Sequence, residues 1–157
     1  MQPVENDFGV NILVDYAHNA AALESVLNTL SEYTEGRIIT VFGCGGNRAK
    51  TRRFEMGEVS GRLSDYTVIT SDNPRNEEPG AIIQDIVTGI SKTEGKYEIE
   101  PDRSKAIRLS VNMAREGDTV LIAGKGHEDY QIFADKTIHF DDCEQARDAV
   151  IEREGNK

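Results

Sequence analysis

Short runs of apolar residues alternate along the chain with segments whose apolar residues recur at helical spacing. Runs rich in Val, Ile and Leu predict strands at residues 11–15, 37–42, 67–70, 97–99 and 119–123. Helical periodicity predicts helices near residues 23–30, 53–63, 82–90, 102–114 and 142–152. Gly36 is placed to end the first helix, and Asp102 is placed to cap the fourth. The alternation indicates an α/β domain with a mostly parallel sheet and helices on both faces.

The pattern changes after residue 123, where two short runs flank a polar turn. Residues 130–133 and 137–140 enclose residues 134–136, and this arrangement predicts a β-hairpin. We expect the hairpin to form an antiparallel C-terminal edge on the otherwise parallel sheet. Residues 154–157 are expected to be a loose tail of a single domain that spans residues 1–157.

Composition and charge restrict the class of protein and of partner. The chain has 157 residues, a length that suits one domain with its own core. Its 28 acidic and 18 basic residues give a net charge of −10, which disfavours nucleic acid or an anionic membrane as the main partner. Two cysteines are too few for a disulfide framework, and no apolar stretch reaches the length of a membrane span. Because the start also lacks a signal-peptide pattern, we expect a cytoplasmic protein with reduced thiols.

Four loops that follow predicted strands carry most of the chemically active side chains. In a parallel sheet the loops after the strands share one edge, and ligands bind there. The loops at the opposite edge are plain connectors. We therefore expect one composite site at the carboxyl edge of the sheet. The four loops are residues 15–19, 43–48, 72–75 and 124–128.

The loop Asp72-Asn73-Pro74-Arg75 has the clearest chemistry of the four. Pro74 fixes its own φ and keeps Asn73 out of helical geometry, so the turn is expected to be rigid. A guanidinium at the end of a rigid turn suits two-point recognition of a carboxylate or a phosphate. The alternative interpretation is an ordinary turn with a solvated arginine.

The glycine-rich loop at residues 43–48 matches no standard phosphate-binding pattern. A Walker motif that ended at Lys50-Thr51 would place Ala49 and Cys44 at its two glycine positions. The dinucleotide pattern fails because Arg48 occupies its third glycine position. The loop lets its backbone approach a ligand closely and ends in a local basic cluster. The alternative interpretation is a flexible solvated turn.

The loop at residues 124–128 supplies a charge of the opposite sign. Glu128 can accept from an ammonium group, and Lys125 or His127 can orient an anion, although His127 can equally cap the hairpin. With Arg48 and Arg75 placed against Glu128, the charges favour a zwitterionic ligand, of which an amino acid is the simplest. That pairing is a hypothesis drawn from charge alone.

The loop at residues 15–19 leaves two interpretations open, and no metal site is evident. Asp15 and His18 can meet a ribose hydroxyl or a phosphate, but Asp15 can equally cap the following turn. The histidines are far apart in sequence and show no metal-ligand spacing. Cys44 lacks a visible base partner, so a catalytic thiol is not favoured.

Four stretches together resemble the C-terminal domain of the Mur ligase family. They are DYAHN at 15–19, FGCGGNR at 42–48, SDNPR at 71–75 and LIAGKGHEDYQ at 121–131, followed by HFDD at 139–142. The resemblance covers nearly the whole chain, in order and with matching spacing. It is strongest to the branch that adds the third amino acid of the peptidoglycan stem peptide, the UDP-N-acetylmuramoyl-tripeptide synthetases.

The resemblance implies a Rossmann-like α/β fold and a role in an ATP-dependent peptide ligase. In that family, ATP and Mg²⁺ activate the D-glutamate carboxylate of UDP-MurNAc-L-Ala-D-Glu as an acyl phosphate, and the amine of the incoming amino acid attacks it. The family's N-terminal domain and its central ATPase domain, which mainly binds ATP and Mg²⁺, are missing here. The chain is therefore expected to be one domain of a monomeric three-domain ligase and to be inactive alone.

The resemblance also implies roles for individual residues. The DNPR motif is the family's signature for meso-diaminopimelate, and members that add lysine differ at the position of Arg75. Neither a catalytic residue nor a metal ligand is expected in this chain. Asp15, His18 and Asn19 are expected near the nucleotide. The expected contacts of meso-diaminopimelate are Arg48, Asp72, Asn73, Pro74, Arg75, Gly124 and Glu128.

Two other functions stay open at the level of sequence. One is a free-standing module that binds an amino acid or nucleotide without catalysis. The other is a Mur ligase that adds a different third residue, such as L-lysine.

Overall fold

The computed structural model describes residues 1–155 and contains eight strands and five helices in that part of the chain. The strands are β1 (Gln2–Val4), β2 (Asn11–Asp15), β3 (Ile38–Phe42), β4 (Tyr66–Ile69), β5 (Lys96–Ile99), β6 (Thr119–Ala123), β7 (Tyr130–Ile132) and β8 (Thr137–His139). The helices are α1 (Ala20–Ser31), α2 (Thr51–Leu63), α3 (Pro79–Ile90), α4 (Arg103–Met113) and α5 (Asp142–Gly155).

Six strands form one sheet in the order β1-β2-β6-β3-β4-β5. All neighbours pair in parallel except β1, which runs antiparallel to β2. The carboxyl ends of β2, β6, β3 and β4 therefore lie at the same edge, and the four chemically active loops start there. The sequence-based expectation that these loops share an edge is confirmed.

Helices cover both faces of the sheet, so the central strands are apolar on both sides. In β6, Val120 and Ile122 face the core under α4 and α5, whereas Leu121 and Ala123 face the core under α1, α2 and α3. Successive side chains of a strand point to opposite faces, and this geometry explains why the whole run is buried. The predicted α/β class, with a mostly parallel sheet and helices on both faces, is confirmed.

The predicted boundaries hold best where the local signal is strongest. Strands 11–15 and 119–123 have the predicted limits, and Asp102 caps α4 by accepting a hydrogen bond from the Lys105 N–H. Gly36 was wrongly expected to end α1, which stops at Ser31. Gly36 instead lies against the loop before β6, where a Cβ atom would be 2.3 Å from Asp118 Oδ1.

The hairpin forms as predicted, but it does not occupy the edge of the main sheet. Strands β7 and β8 pair only with each other, as a separate two-stranded sheet. The antiparallel edge strand is β1 instead, which the sequence did not reveal. Three residues that include Pro3 give no periodic signal, and proline in a sheet is restricted to edges such as this one.

The C-terminal end is more regular than the sequence indicated. Residues 154 and 155, expected in a loose tail, are the last two residues of α5, and residues 156–157 lie outside the described part. Among the described residues, none of the helices combines the length and the apolar character that crossing a membrane requires.

Candidate functional site

A cleft of about 450 Å³ opens at the carboxyl edge of the sheet, between the loops after β2, β3, β4 and β6. Its walls come from all four loops singled out in the sequence, together with the start of α2 and of β7. The lining residues are Tyr16, His18, Gly43, Cys44, Gly45, Arg48, Arg52, Asp72, Asn73, Arg75, Gly124, Glu128 and Tyr130.

The 72–75 loop is held rigidly by the hairpin that follows β6. Gln131 Nε2 donates to the Asp72 carbonyl at 2.7 Å, and the Ile132 N–H donates to Asn73 Oδ1 at 3.0 Å. The Arg75 N–H donates in turn to the Ile132 carbonyl at 3.0 Å. Arg75 has a φ of 53°, a left-handed conformation that costs a non-glycine residue energy and needs support of this kind. The rigid turn that the sequence predicts is therefore present.

The glycine-rich loop packs directly on the 72–75 loop. The Gly46 N–H donates to the Asn73 carbonyl at 2.8 Å, and Arg75 Nη1 donates to the Gly46 carbonyl at 3.0 Å. A Cβ atom on Gly46 would lie 1.8 Å from the Pro74 carbonyl oxygen, so only glycine permits the approach. The loop is thus fixed in place and is not the flexible solvated turn that the sequence left possible.

The buried side chain of Arg53 supports the glycine-rich loop and the segment that follows the 72–75 loop. Arg53, only 1 % exposed, forms ion pairs with Glu77 at 2.7 Å and Asp85 at 2.9 Å. Glu77 also accepts from the Asn47 N–H at 2.8 Å, and that bond is the largest of the effects that lower the pKa of Glu77. Arg53 belongs to the basic cluster that ends the glycine-rich loop in the sequence, and the structure buries it as a support of that loop. Of its acidic partners, Glu77 lies just before α3 and Asp85 lies within it, and no local pattern indicates either.

The loop after β6 turns sharply at two glycines in left-handed conformations, Gly124 (φ 118°) and Gly126 (φ 57°). This turn buries Lys125 completely. Lys125 Nζ lies 3.1 Å from Asn73 Oδ1, 3.6 Å from Glu128 Oε1 and 3.8 Å from Asp72 Oδ1. Burial lowers the pKa of Lys125, and the charge of Asp72 opposes that change. Lys125 is therefore no exposed anion ligand but lies under the cleft.

A second buried cation fixes the ends of two strands. Arg103 and Asp142 form a fully buried ion pair with a 2.8 Å contact. The same guanidinium donates to the carbonyls of Ser71, at 2.9 Å, and Ala123, at 3.1 Å. It thereby ties the residues just before the 72–75 and 124–128 loops to α5. No local pattern predicts this pair, although Arg103 directly follows a helix cap and Asp142 starts the last helix.

The 15–19 loop is only partly directed into the cleft. His18 lines it, with its ring 4.6 Å from that of Tyr16. Asp15 accepts from the Ala17 N–H at 2.9 Å, and Asn19 caps α1 by accepting from the Ala22 N–H at 2.8 Å. The turn-capping interpretation of Asp15 is therefore correct for this structure, and neither Asp15 nor Asn19 belongs to the lining.

The charges in the cleft are of both signs. Arg48, Arg52 and Arg75 bring guanidinium groups, and Asp72 and Glu128 bring carboxylates. The sequence indicated Arg52 only as part of the basic cluster, and it gave the two tyrosines of the lining no role. Of the seven residues expected to contact the amino acid, only Pro74 is absent from the lining, because its carbonyl packs on Gly46. An arrangement with both signs suits a small ligand that carries carboxylate and ammonium groups together.

Cys44 contributes surface but no reactive thiol. It is buried, and its Sγ lies 3.7 Å from Met56 Sδ. Burial, with a further contribution from the charge of Asp72, raises the pKa of the thiol to about 12. The thiolate is the nucleophile, so Cys44 is unreactive at neutral pH.

Comparison with known proteins connects this cleft to a family. The family model for the "Mur ligase, glutamate ligase domain" matches residues 1–126, most of the chain. The match ends immediately before the hairpin and α5, the two elements that hold the 72–75 loop and the strand ends.

Similar proteins carry more specific names. UDP-N-acetylmuramoyl-L-alanyl-D-glutamate–2,6-diaminopimelate ligase of Clostridium botulinum is 49% identical over 93% of this chain, and that of Alkaliphilus metalliredigens is 53% identical over 90%. A solved structure of a ligase with the same name has a TM-score of 0.93 and 37% identity over 98% of the chain. The chain spans 30% and 29% of the length of the two curated relatives and 31% of the solved chain.

Proposed function

The chain belongs to the Mur ligase family, and from that membership we propose that it is the amino-acid-binding C-terminal domain of an ATP-dependent diaminopimelate ligase. The complete enzyme would join meso-diaminopimelate to UDP-MurNAc-L-Ala-D-Glu during peptidoglycan synthesis. The names of the relatives at 49% and 53% identity support this assignment. Because the chain spans less than a third of their length, the activity is proposed for a longer protein of which this chain is one domain.

The observation that carries the proposal is the meeting of Arg48, Arg75 and Glu128 in one cleft. Diaminopimelate has an amino acid group at each end, so it presents two carboxylates and two ammonium groups. We propose that the guanidinium groups of Arg48 and Arg75 bind carboxylate and that Glu128 accepts from an ammonium group. Asn73 and the backbone at Gly124 complete the contacts, and Asp72 lies behind them as a further negative charge.

The residues of this chain do not fit the triphosphate of ATP or its Mg²⁺. Within the glycine-rich loop, the Gly46 and Asn47 amides are used inside the protein, by the Asn73 carbonyl and by Glu77. Among the described residues, no cluster of three or more metal-binding side chains is present. We therefore propose that ATP and Mg²⁺ are held mainly by the rest of the ligase. Asp15, His18 and Asn19 remain predictions for the nucleotide side, with His18 the best placed because it lines the cleft.

We propose a limited independent role for the isolated chain. Without a triphosphate site, the isolated domain should bind the amino acid weakly and catalyse nothing. We place the enzyme in the cytoplasm, since Cys44 and Cys143 are both free and buried. A monomer is the simplest assembly because all the proposed amino acid contacts lie on one copy.

The decisive experiment is a ligation assay on the full-length protein with UDP-MurNAc-L-Ala-D-Glu, ATP and Mg²⁺. With meso-diaminopimelate as the acceptor, we expect phosphate release and a UDP-linked tripeptide. With L-lysine, which lacks the second carboxylate, we expect a much lower kcat/KM. The isolated chain serves as the negative control. Equal use of lysine would refute the assigned specificity, and binding of an amino acid without ATP consumption by the full-length protein would indicate a binding module instead.

A further inference from the structure

Lys125 occupies a central place beneath the cleft without lining it. Its side chain is fully buried, yet its Nζ meets groups from two different loops, Asn73 and Asp72 on one side and Glu128 on the other. The ring of Tyr130 lies 5.5 Å from the same nitrogen. A buried ammonium is costly unless such partners compensate its charge, so the position calls for a specific reason.

The contact with Asn73 fixes which way the amide of that residue points. Asn73 Oδ1 accepts from Lys125 Nζ at 3.1 Å and from the Ile132 N–H at 3.0 Å. Both donors require the oxygen and not the NH₂ group at this place. The amide nitrogen is therefore directed away from them, and it has no hydrogen-bond partner within residues 1–155. Since Asn73 lines the cleft, its NH₂ group is available there as a donor.

The contact with Glu128 acts on the opposite charge in the cleft. The Glu128 carboxylate lies 3.6 Å from Lys125 Nζ, and Asp72 approaches the same cation at 3.8 Å. Both carboxylates are attracted to this one buried cation. Lys125 thus holds both acids in place at the side of the cleft that would receive an ammonium group.

We propose that Lys125 is a positioning residue for the amino acid site, which orients the Asn73 amide and the Glu128 carboxylate through direct contacts with both. The inference rests on the proposed function and adds a residue to it that touches no substrate. Lys125 acts by fixing the Asn73 NH₂ group as a donor for substrate carboxylate and the Glu128 carboxylate as an acceptor for substrate ammonium.

The first test is Lys125→Met in the full-length ligase, which keeps an unbranched side chain only one atom shorter and removes its charge and donors. We expect the KM for meso-diaminopimelate to rise roughly 10- to 100-fold, the loss found when groups that orient metal ligands are removed. The KM values for ATP and for UDP-MurNAc-L-Ala-D-Glu should stay unchanged. A matched control is Arg37→Met, which breaks the ion pair with Asp118 at the opposite end of the sheet and should lower the Tm without moving any KM.

A double-mutant cycle separates positioning from general support of the fold. If Lys125 acts through the amide, the KM effects of Lys125→Met and Asn73→Ala are less than additive. If the effects are fully additive, or if Lys125→Met leaves the KM for diaminopimelate unchanged, the inference is wrong.

A second variant keeps the inference testable if Lys125→Met does not fold. Asn73→Asp retains an oxygen for Lys125 and for the Ile132 N–H but replaces the NH₂ group in the cleft. We expect a folded enzyme with a KM for diaminopimelate raised at least about tenfold, a loss of about 1.4 kcal/mol. An unchanged KM would show that no donor is presented there and would overturn the inference. A wild-type enzyme that does not use diaminopimelate would instead refute the proposed function, so the two failures are distinguishable.

Discussion

Arg75 combines three properties that are seldom found in one residue. Its backbone is left-handed, its N–H is bonded to the hairpin, and its guanidinium contacts the glycine-rich loop while lining the cleft. A left-handed arginine is retained only where its surroundings determine its conformation. A strained backbone that neighbouring hydrogen bonds support is the pattern expected where a side chain is held for binding.

Replacing Arg75 should therefore affect binding of the amino acid more than anything else. In the full-length ligase, Arg75→Ala should cost about 2–5 kcal/mol of diaminopimelate affinity, because a desolvated carboxylate of the substrate would lose its partner. Steady-state measurement of the KM for diaminopimelate checks the effect, with Arg62→Ala, an exposed arginine near the end of α2, as the control. An unchanged KM would contradict the assigned role.

Gly46 is the second residue whose identity the structure dictates. Gly46→Ala would drive a Cβ atom into the Pro74 carbonyl oxygen, 1.8 Å away, and neither backbone can move freely. We expect the free energy of unfolding to fall by about 1–3 kcal/mol, as for other overpacked sites. Gly155→Ala, with nothing within 4 Å of its added Cβ, should change stability by less than about 0.5 kcal/mol. Urea denaturation of both variants of the isolated domain tests the contrast.

At the scale of elements, the small β7–β8 hairpin supports the 72–75 loop. It contributes no strand to the main sheet, and its contacts go to Asp72, Asn73 and Arg75. The family model ends before it, at residue 126. The hairpin thus lies outside the matched region and holds the loop that is expected to determine amino acid specificity.

The side chain of Gln131 provides a direct test of this support. Gln131 is buried, and its amide donates to the Asp72 carbonyl at 2.7 Å. Gln131→Ala leaves that carbonyl without its donor and should cost about 1–3 kcal/mol of stability. We also expect a higher KM for diaminopimelate with little change in the KM for ATP. A variant as stable and as tight-binding as the wild type would show that the hairpin does not position the loop.

The junction of β8 and α5 should respond to pH. His139 Nε2 lies 2.6 Å from the Glu144 carboxylate, and this hydrogen bond raises the pKa of His139 above its ordinary value of 6.5. A pKa that is higher in the folded than in the unfolded state adds stability at pH values below the unfolded-state pKa. This added stability is lost as the pH rises through the folded-state pKa. The difference in Tm between wild type and His139→Gln should therefore be present in mild acid and disappear at alkaline pH. A difference that is constant across this range would be inconsistent with the pair.

At the scale of the whole molecule, the Arg103–Asp142 pair links helices α4 and α5 to the edge of the sheet where the cleft lies. One guanidinium joins α4, the N-terminus of α5 and the carboxyl ends of two strands. Every one of its contacts is buried, so its charge has no access to water. The fold and the cleft consequently depend on the same interaction.

Breaking the pair from one side should be severe. Asp142→Asn leaves a buried guanidinium without a countercharge and should lower the free energy of unfolding by about 3–5 kcal/mol. Glu152→Gln, which removes the charge of the more exposed partner in the pair with Arg108, is the control and should cost no more than about 1 kcal/mol. Equal effects in chemical denaturation would show that burial of the pair contributes nothing.

The sequence by itself determined the α/β class, the positions of the main strands and the edge at which the site lies. These features follow from local patterns, because burial on both faces makes a strand such as Thr119–Ala123 apolar throughout, and the loops that follow parallel strands share one edge. The motifs of the resemblance also named the charged residues that now line one cleft.

Only the tertiary structure decided how those residues are held. Arg53, Arg103 and Lys125 find partners 24, 39 and 52 residues away, and no periodicity connects positions so far apart. The hairpin was visible as a hairpin, but its place depends on hydrogen bonds to a distant loop. A buried charge is stable only where folding brings its partners, so its role can be read only once the chain is folded.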